Sequence, residues 1–470
     1  MKILLINPPS KEAKKGYSSA IFPPLGLLYI ASVLREGGHS VKVLDLFVLF
    51  AKKNYNFEKL KAEIIDFKPN IVGVSFFSSN IVYVRNILDI VKEISPKIVT
   101  VVGGPHITAV PNYLINLKSA DFGVYAEGEF TFLEFVNKLS KQKNITNIKG
   151  IIYKKKDKIE FKVRPYITDL DVLPFPARDL VPMDLYQPST ASYRQLPATA
   201  IITSRGCPFQ CLFCHKPIFG NKFRPHSAKR VIEEIETLNK KFGIKDFKIY
   251  DDTFTLNRVR VVEICNLLIK KNLGITWNCT TRVDTVDYEL LKLMKKAGCY
   301  NISFGVEAGS ERILKLIKKG ITKMQVINVF KWVRELGIES VAFFIIGLPT
   351  QTKQEIFETI KFAKQINPDY VQFTLVNPHP DTELYELCKK YGKVAINDWS
   401  NFSTYLDIEK ELPFVPYTLS ERELKRLYRK AYFMFYFRLG YILYMIRKLS
   451  KSDKPLNRIS RGIKTILDRT

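Results

Sequence analysis

The 470-residue chain is long enough for two or three domains with separate apolar cores. With 46% apolar and 25% charged residues and no low-complexity tract, it falls outside the disordered and fibrous classes. The net charge of +27 fits two sources: lysine enrichment of the kind found in chains from hot habitats, or an anionic partner such as nucleic acid, a phospholipid surface or an acidic substrate.

The opening stretch KILLINPP is an apolar strand ending in a Pro-Pro turn, too short for a secretory or transit segment. A cytoplasmic protein is therefore expected. PLGLLYIASVLREGGH has helical spacing and stops at Gly37-Gly38. SVKVLDL is a strand, NFEKLKAEIIDFKP a helix and NIVGVSFFS a strand; a helix over about 80–94 follows. KIVTVVGGPH is a strand running into a double-glycine turn, ADFGVYAEG another strand, and EFTFLEFVNKLS a helix. Short apolar strands alternating with helices predict a doubly wound parallel sheet over residues 1–140, with ligands beyond the carboxyl ends of its strands.

Residues 141–197 are expected to form a linker between two domains. They hold a lysine-rich hairpin, GIIYKKKDKIEFKV, and a proline-rich stretch, LPFPARDLVPMD. From residue 198 to about 380, six strands recur, near TAIITS, DFKIYD, ITWNCTT, YNISFG, SVAFFIIG and DYVQFTL. Amphipathic helices near 227–241, 257–271, 286–297, 310–319, 322–336 and 352–366 separate them. This pattern predicts a partial (β/α)6 barrel whose chemistry sits on loops at the carboxyl ends of the strands.

Residues 381–470 form a helical, basic and aromatic region. One helix opens with Ser420 and Glu423 at capping-box spacing and continues LKRLYRKAYFMFYFRLGYILYMIRKL. Its apolar run from Ala431 to Leu449 is interrupted by Arg438 and Arg447, so it does not reach the roughly 18–20 apolar residues of a membrane span. Three roles suit it: closing the open side of the barrel, lying on a membrane surface, or touching nucleic acid. The last is disfavoured, because no RNA-binding module accompanies it.

Three of the seven cysteines, Cys207, Cys211 and Cys214, lie in SRGCPFQCLFCH, directly after the first barrel strand. The odd count and tight clustering argue against a disulfide framework, and the other four cysteines read as core residues. Structural zinc wants four ligands, and neither His215, abutting Cys214, nor the distant His226 clearly supplies a fourth. A 4Fe–4S cluster held by three cysteines leaves one iron open to bind and reduce a small molecule.

The Cys-x3-Cys-x-aromatic-Cys spacing on a six-strand partial barrel resembles the radical S-adenosylmethionine (SAM) superfamily. The resemblance implies a 4Fe–4S cluster on Cys207, Cys211 and Cys214 and reductive cleavage of SAM to a 5′-deoxyadenosyl radical. It implies that Phe213 lies near the adenine and that Asp251 and Asp252, in YDDTFTLN, meet the methionine ammonium. Arg282, in TTRVD, would meet the SAM carboxylate or pair with an acid. Glu307, in SFGVEAGS, matches the ribose-contacting position, and Gly347 and Pro349, in FFIIGLPTQT, the adenine-contacting turn. A reductant such as ferredoxin or flavodoxin is also implied.

A doubly wound domain ahead of such a barrel resembles the cobalamin-binding class, with its tetrapyrrole cyclases, hopanoid and antibiotic methylases and lipid-synthesis enzymes. In that resemblance Ser75, Gly103 and Gly104 line the cobalamin tail, and Glu127 and Gly128 form the next strand-end turn. NPPSKEAKKG stands where a cobalt-ligating Asp-x-His-x-x-Gly motif would fall, so cobalamin without a histidine ligand is expected. The implied reaction modifies an unactivated carbon of a hydrophobic or lipid substrate by cobalamin-dependent methyl transfer. The alternatives are a cyclase, oxidase or carbon–carbon coupling enzyme without methyl transfer, and a non-enzymatic iron–sulfur protein. No residue that acts on the substrate is legible.

Overall fold

Leu4 and Ile6 point to one face of the first sheet, Ile3 and Leu5 to the other, and all four are buried. An apolar run without alternation is what a strand covered on both faces requires. In the computed structural model, which describes residues 1–10, 22–52, 55–188, 192–395 and 411–450, that run is strand β1 (Lys2–Asn7). Around it lie β2 (Ser40–Asp45), β3 (Ile71–Ser75), β4 (Val99–Gly103) and β5 (Phe122–Val124), all parallel. The sheet order β2-β1-β3-β4-β5-β6-β7 reverses direction between β1 and β3, which opens a crevice at the carboxyl edge there.

Strands β6 (Ile151–Lys155) and β7 (Lys158–Glu160) are the lysine-rich hairpin. The sequence assigned it to the linker. Instead β6 pairs antiparallel with β5 and widens the first sheet, because Ile151 and Ile152 bury completely. The irregular residues after it strap the two halves together. Tyr186 donates to buried Asp45 at 2.8 Å. Arg178 pairs with Glu234 at 2.7 Å and donates to the Ala200 carbonyl.

The second sheet contains β8 (Ala198–Ile201), β11 (Asp246–Ile249), β12 (Thr276–Thr281), β13 (Cys299–Glu307), β14 (Glu339–Ile346) and β15 (Tyr370–Leu375). All are parallel and in sequential order, unclosed between β8 and β15, as the partial barrel predicts. Short β9 (Ser204–Arg205) and β10 (Arg224–Pro225) pair antiparallel just beyond β8. The covering helices begin where the sequence places them, with Ser227, Asn257, Asp287, Ser310, Thr322 and Thr352 as side-chain caps. Cys265, Cys279, Cys299 and Cys388 are buried in this domain's core.

Strand β16 (Gly392–Val394) pairs antiparallel with β17 (Phe414–Pro416). The helix Glu421–Tyr436 then starts on the expected Ser420–Glu423 capping box. It runs along β15, the open edge of the barrel. The Tyr432 hydroxyl accepts from Phe373 N at 3.1 Å and donates to Phe373 O at 2.8 Å. Tyr436 does the same for Val371, at 3.1 and 3.0 Å. Of the three roles open to this helix, the first describes what its buried face does. The expected 381–470 region extends over residues 396–410 and 451–470, which lie outside the described residues.

Candidate active site

Pairing of β9 with β10 draws residues 206–223 into a loop on the carboxyl rim of the barrel. Gly206 adopts φ +83°, and a Cβ there would stand 2.2 Å from the Lys222 carbonyl, so this turn requires glycine. The loop is tied to the barrel at its middle: Leu212 N donates to Ile317 O, and Leu384 N to Leu212 O.

Cys211 is buried, Cys207 half-buried and Cys214 exposed. Cys207 Sγ lies 3.6 Å from Thr253 Oγ1, and Arg282 Nη1 lies 3.5 Å from Cys211 Sγ. The Cys211 thiol is held down at about 6 by a hydrogen bond with Cys214, with Lys319 and Arg282 as nearby cations. Cys214, carrying the shared proton, is pushed up. Cations beside thiols favour the thiolate, the form that ligates iron. Among the described residues no three His, Cys, Asp or Glu side chains close around a single ion. His226 is spoken for by Asp171 at 3.1 Å, and His215 faces Asp381 at 3.9 Å. These donors suit a cubane, whose cysteines sit on separate irons, and not a four-ligand zinc site.

The other rim residues converge on this loop. Asp251 is buried and accepts from Thr203 N (2.6 Å), Thr203 Oγ1 (2.5 Å) and Ser204 Oγ (2.6 Å), so its carboxylate fastens the strand end. Asp252 stays open to solvent and takes one hydrogen bond, from Gly206 N at 3.1 Å. Desolvation by the loop packed around its carboxylate, and then the Asp251 charge, push its pKa upward. Arg282 forms a two-pronged pair with Asp284, both contacts at 2.8 Å, and covers the Phe209 ring at 3.6 Å. The pair with Asp284 is one of its two expected roles.

Glu307 has φ +72°, rare for a residue with a Cβ, and its carboxylate accepts from Lys319 Nζ at 2.8 Å. Gly305 leaves room for this pair, since a Cβ there would lie 2.4 Å from Glu307 Oε1 and displace it. Lys319 also lies 5.8 Å from the Phe213 ring. Sequence reading missed this lysine, because the pair Lys318-Lys319 at a helix end looks like ordinary surface charge. Gly347, at φ +82°, and Leu348 donate backbone N–H to Gln351 Oε1, which shapes the turn carrying buried Pro349.

In the first domain, Ser75, Gly103 and Gly104 meet at the carboxyl ends of β3 and β4. Gly104 adopts φ +106°, and a Cβ there would lie 3.2 Å from Phe76 N and O. His106 is buried against Phe76 and Tyr113, bonds Ser78 Oγ at 2.8 Å, and is held neutral by burial, at about 4. His39 sits at the opposite edge of the sheet, beside Asn137. The stretch lacking the cobalt-ligand motif lies partly outside the described residues, at 11–21. Glu127 and Gly128 follow β5, and Gly128 backs onto Ile30. Both Glu127 oxygens are engaged: Arg205 and Arg224 donate to Oε1 at 2.9 Å, and Ile167 N donates to Oε2 at 2.8 Å. Arg205 also donates to Glu129 at 2.7 Å. The turn after β5 therefore touches the residue two before Cys207.

The pattern of the radical SAM superfamily matches residues 201–363, and that of the B12 binding domain residues 16–136. A protein of Pyrococcus horikoshii described as an uncharacterized methyltransferase is 38% identical over 93% of this chain and 93% of its own length. The chain belongs to the cobalamin-binding class of the radical SAM superfamily. It is thus a radical SAM enzyme, of a family that uses a 4Fe–4S cluster, SAM and cobalamin. Enzymes of this superfamily need a reductant and a small-molecule substrate. The anaerobic magnesium-protoporphyrin IX monomethyl ester cyclase of Rubrivivax gelatinosus is 29% identical over 97% of the chain and 81% of its own. The fold is shared with the radical SAM methyltransferase TsrM from Kitasatospora setae, at TM-score 0.72 and 16% identity, over 92% of this chain and 89% of that one. Among the described residues no helix of this radical SAM enzyme is long and apolar enough to cross a membrane.

Proposed function

We propose that this radical SAM enzyme methylates an unactivated carbon of a substrate with a hydrophobic body. One observation carries the reading: the cluster loop and the strand ends of the B12-type domain meet, through Arg205 on Glu127 and Glu129. Two cofactors that must serve one carbon need such a junction. The chemistry supplied by the bound groups is reductive cleavage of SAM to an adenosyl radical and donation of a methyl group from cobalamin.

The chain's own residues hold and orient. Cys207, Cys211 and Cys214 are assigned to the cluster. Asp252, with an open carboxylate, is assigned to the SAM ammonium, while Asp251 fixes the loop from behind. Glu307, oriented by Lys319, is assigned to the ribose, and Phe213, Gly347 and Pro349 to the adenine. Ser75, Gly103 and Gly104 are assigned to the cobalamin tail, beside the Glu127–Gly128 turn, with no histidine on cobalt.

Electrons come from ferredoxin or flavodoxin in the cytoplasm. Peripheral membrane contact is supported by the outer face of the C-terminal helices, where Phe433, Phe437, Leu439, Leu443 and Ile446 are exposed. Co-sedimentation with anionic vesicles tests it; recovery in the supernatant would refute it.

The reaction is tested with SAM deuterated at its methyl group and reduced, reconstituted enzyme. The reading predicts deuterated methylcobalamin and a substrate that gains the label. Formation of 5′-deoxyadenosine without methylcobalamin would instead favour a cyclase, oxidase or coupling enzyme. Absence of 5′-deoxyadenosine would leave an iron–sulfur protein without this chemistry.

A further inference from the structure

The inner faces of the last two barrel strands are wet. On β14, Ala342, Phe344 and Ile346 point outward and bury, while Val341, Phe343 and Ile345 point inward and are half-buried. On β15, Val371, Phe373 and Leu375 bury, while Tyr370, Gln372 and Thr374 remain half-buried. A closed barrel fills its centre with packed layers of side chains. Here the inward layer keeps access to solvent, so the six-strand barrel encloses a recess.

One cation projects into that recess. On β11, Phe247 and Ile249 join the outer core, so Lys248 between them faces inward. Among the described residues, the other buried cations around the site have partners. Arg178 meets Glu234; Arg205 and Arg224 meet Glu127; Arg282 meets Asp284; Lys319 meets Glu307. Arg260 lies on the carbonyls of Thr203 and His226. Among the described residues Lys248 makes no ion pair or hydrogen bond; its contact is the Tyr250 ring, 5.3 Å from Nζ. Asp246, the inward carboxylate two residues earlier, is engaged through Oδ2, and its buried Oδ1 makes no hydrogen bond among the described residues. It accepts from Arg194 N at 2.9 Å and from Thr276 Oγ1. Burial lowers the Lys248 pKa, opposed by the Cys279 thiol and by no carboxylate.

We infer that Lys248 anchors an anionic group, a carboxylate or a phosphate, of a substrate whose apolar body lies along Tyr250, Phe343 and Ile345. An ammonium in a recess of low dielectric, unpaired but reachable, attracts an anion more strongly than one on the surface. Lys248 lies one residue before the carboxyl end of β11, which closes at Ile249, and four residues ahead of Asp252 on the rim. An anchor on the inner face of the barrel would hold one end of the substrate and leave its reacting carbon free to lie at the rim. This rests on the radical SAM reading of the rim.

The test uses reconstituted holoenzyme and three ten-carbon probes below their micellar concentrations: decanoate, decyl phosphate and decanol. Binding is measured by calorimetry. The expected result is that at least one charged probe binds roughly tenfold or more tighter than decanol, the scale of a charge-assisted hydrogen bond. Preference between the two acids tells carboxylate from phosphate. Lys248→Met should abolish the preference and Lys248→Arg keep most of it, with iron content and melting midpoint as controls for folding. If the Met variant loses its iron, the wild-type ranking and its collapse in high salt decide alone. Equal affinity for decanol and the acids, no binding of either acid, or an undiminished preference in a folded Met variant would overturn the proposal. Formation of 5′-deoxyadenosine is scored in the same wild-type preparation. Its absence sinks the radical reading and leaves the anion site; its presence without anion preference sinks only the site.

Discussion

Lys319 and Glu307 face each other at the rim with side chains 6% and 8% exposed. Neither charge has water to fall back on, so removing one strands the other. Lys319→Met should cost about 3–5 kcal/mol, and the double change Lys319→Met, Glu307→Gln should recover part of that loss. Denaturant unfolding of the three variants checks it; a single change as mild as the double would refute it. Glu307 was legible in its glycine-flanked motif. Lys319 was not, because nothing in the order Lys318-Lys319-Gly320 says which ammonium turns inward; Lys318 in fact pairs with Glu383 on the surface.

Glu355 shows the same logic with pH. Burial raises its pKa, but hydrogen bonds from Arg312, Thr352 N and Ser310 override this and bring it to about 2. A carboxyl lowered from 4.5 adds stability that is complete above about pH 4.5 and is lost as pH falls toward 2. Wild type should therefore exceed Glu355→Gln by on the order of 2–3 kcal/mol at neutral pH, with the gap narrowing below pH 4.5. Unfolding free energies across that range test it, and a gap that widens on acidification would contradict it.

Among the elements, the helix Glu421–Tyr436 takes the first of its three expected roles, closing the open side of the barrel. Tyr428, Tyr432 and Tyr436 recur at intervals of four and share a face, while Phe433 and Phe437 stack on another. The aromatic richness fitted barrel closure and a membrane surface alike. The buried tyrosines act on the barrel edge, where a strand otherwise leaves N–H and C=O groups unpaired. Tyr432→Phe strands both groups of Phe373 and should cost about 1–3 kcal/mol, with faster amide exchange at Phe373. Unchanged exchange there would contradict the edge-capping role. The strand–helix repeats were legible because alternation and caps are local. The destination of the hairpin over 151–160 was not, because strand partners are set by tertiary packing.

At the scale of the whole molecule, Arg205, Glu127, Glu129 and Arg224 form one buried network joining the turn after β5 to the cluster loop. Glu127 read as a cofactor-side residue because its strand-end motif is local; its partners lie 78 and 97 residues away. Glu129→Gln removes one anchor of Arg205, 2% exposed, and leaves a buried charge undercompensated. The expected outcome is a lower melting midpoint together with faster loss of iron from the neighbouring loop. Loss of stability with iron retention unchanged would show that the network does not position that loop.

The account stands on two cofactor sites meeting at that junction. It is tested most directly by anaerobic purification and reconstitution, followed by metal analysis. About four irons held by Cys207, Cys211 and Cys214 and one cobalt per chain are expected, with iron lost when the three are changed to alanine. Iron without cobalt after incubation with cobalamin would contradict the methyl-transfer half, and zinc in place of iron would contradict the whole.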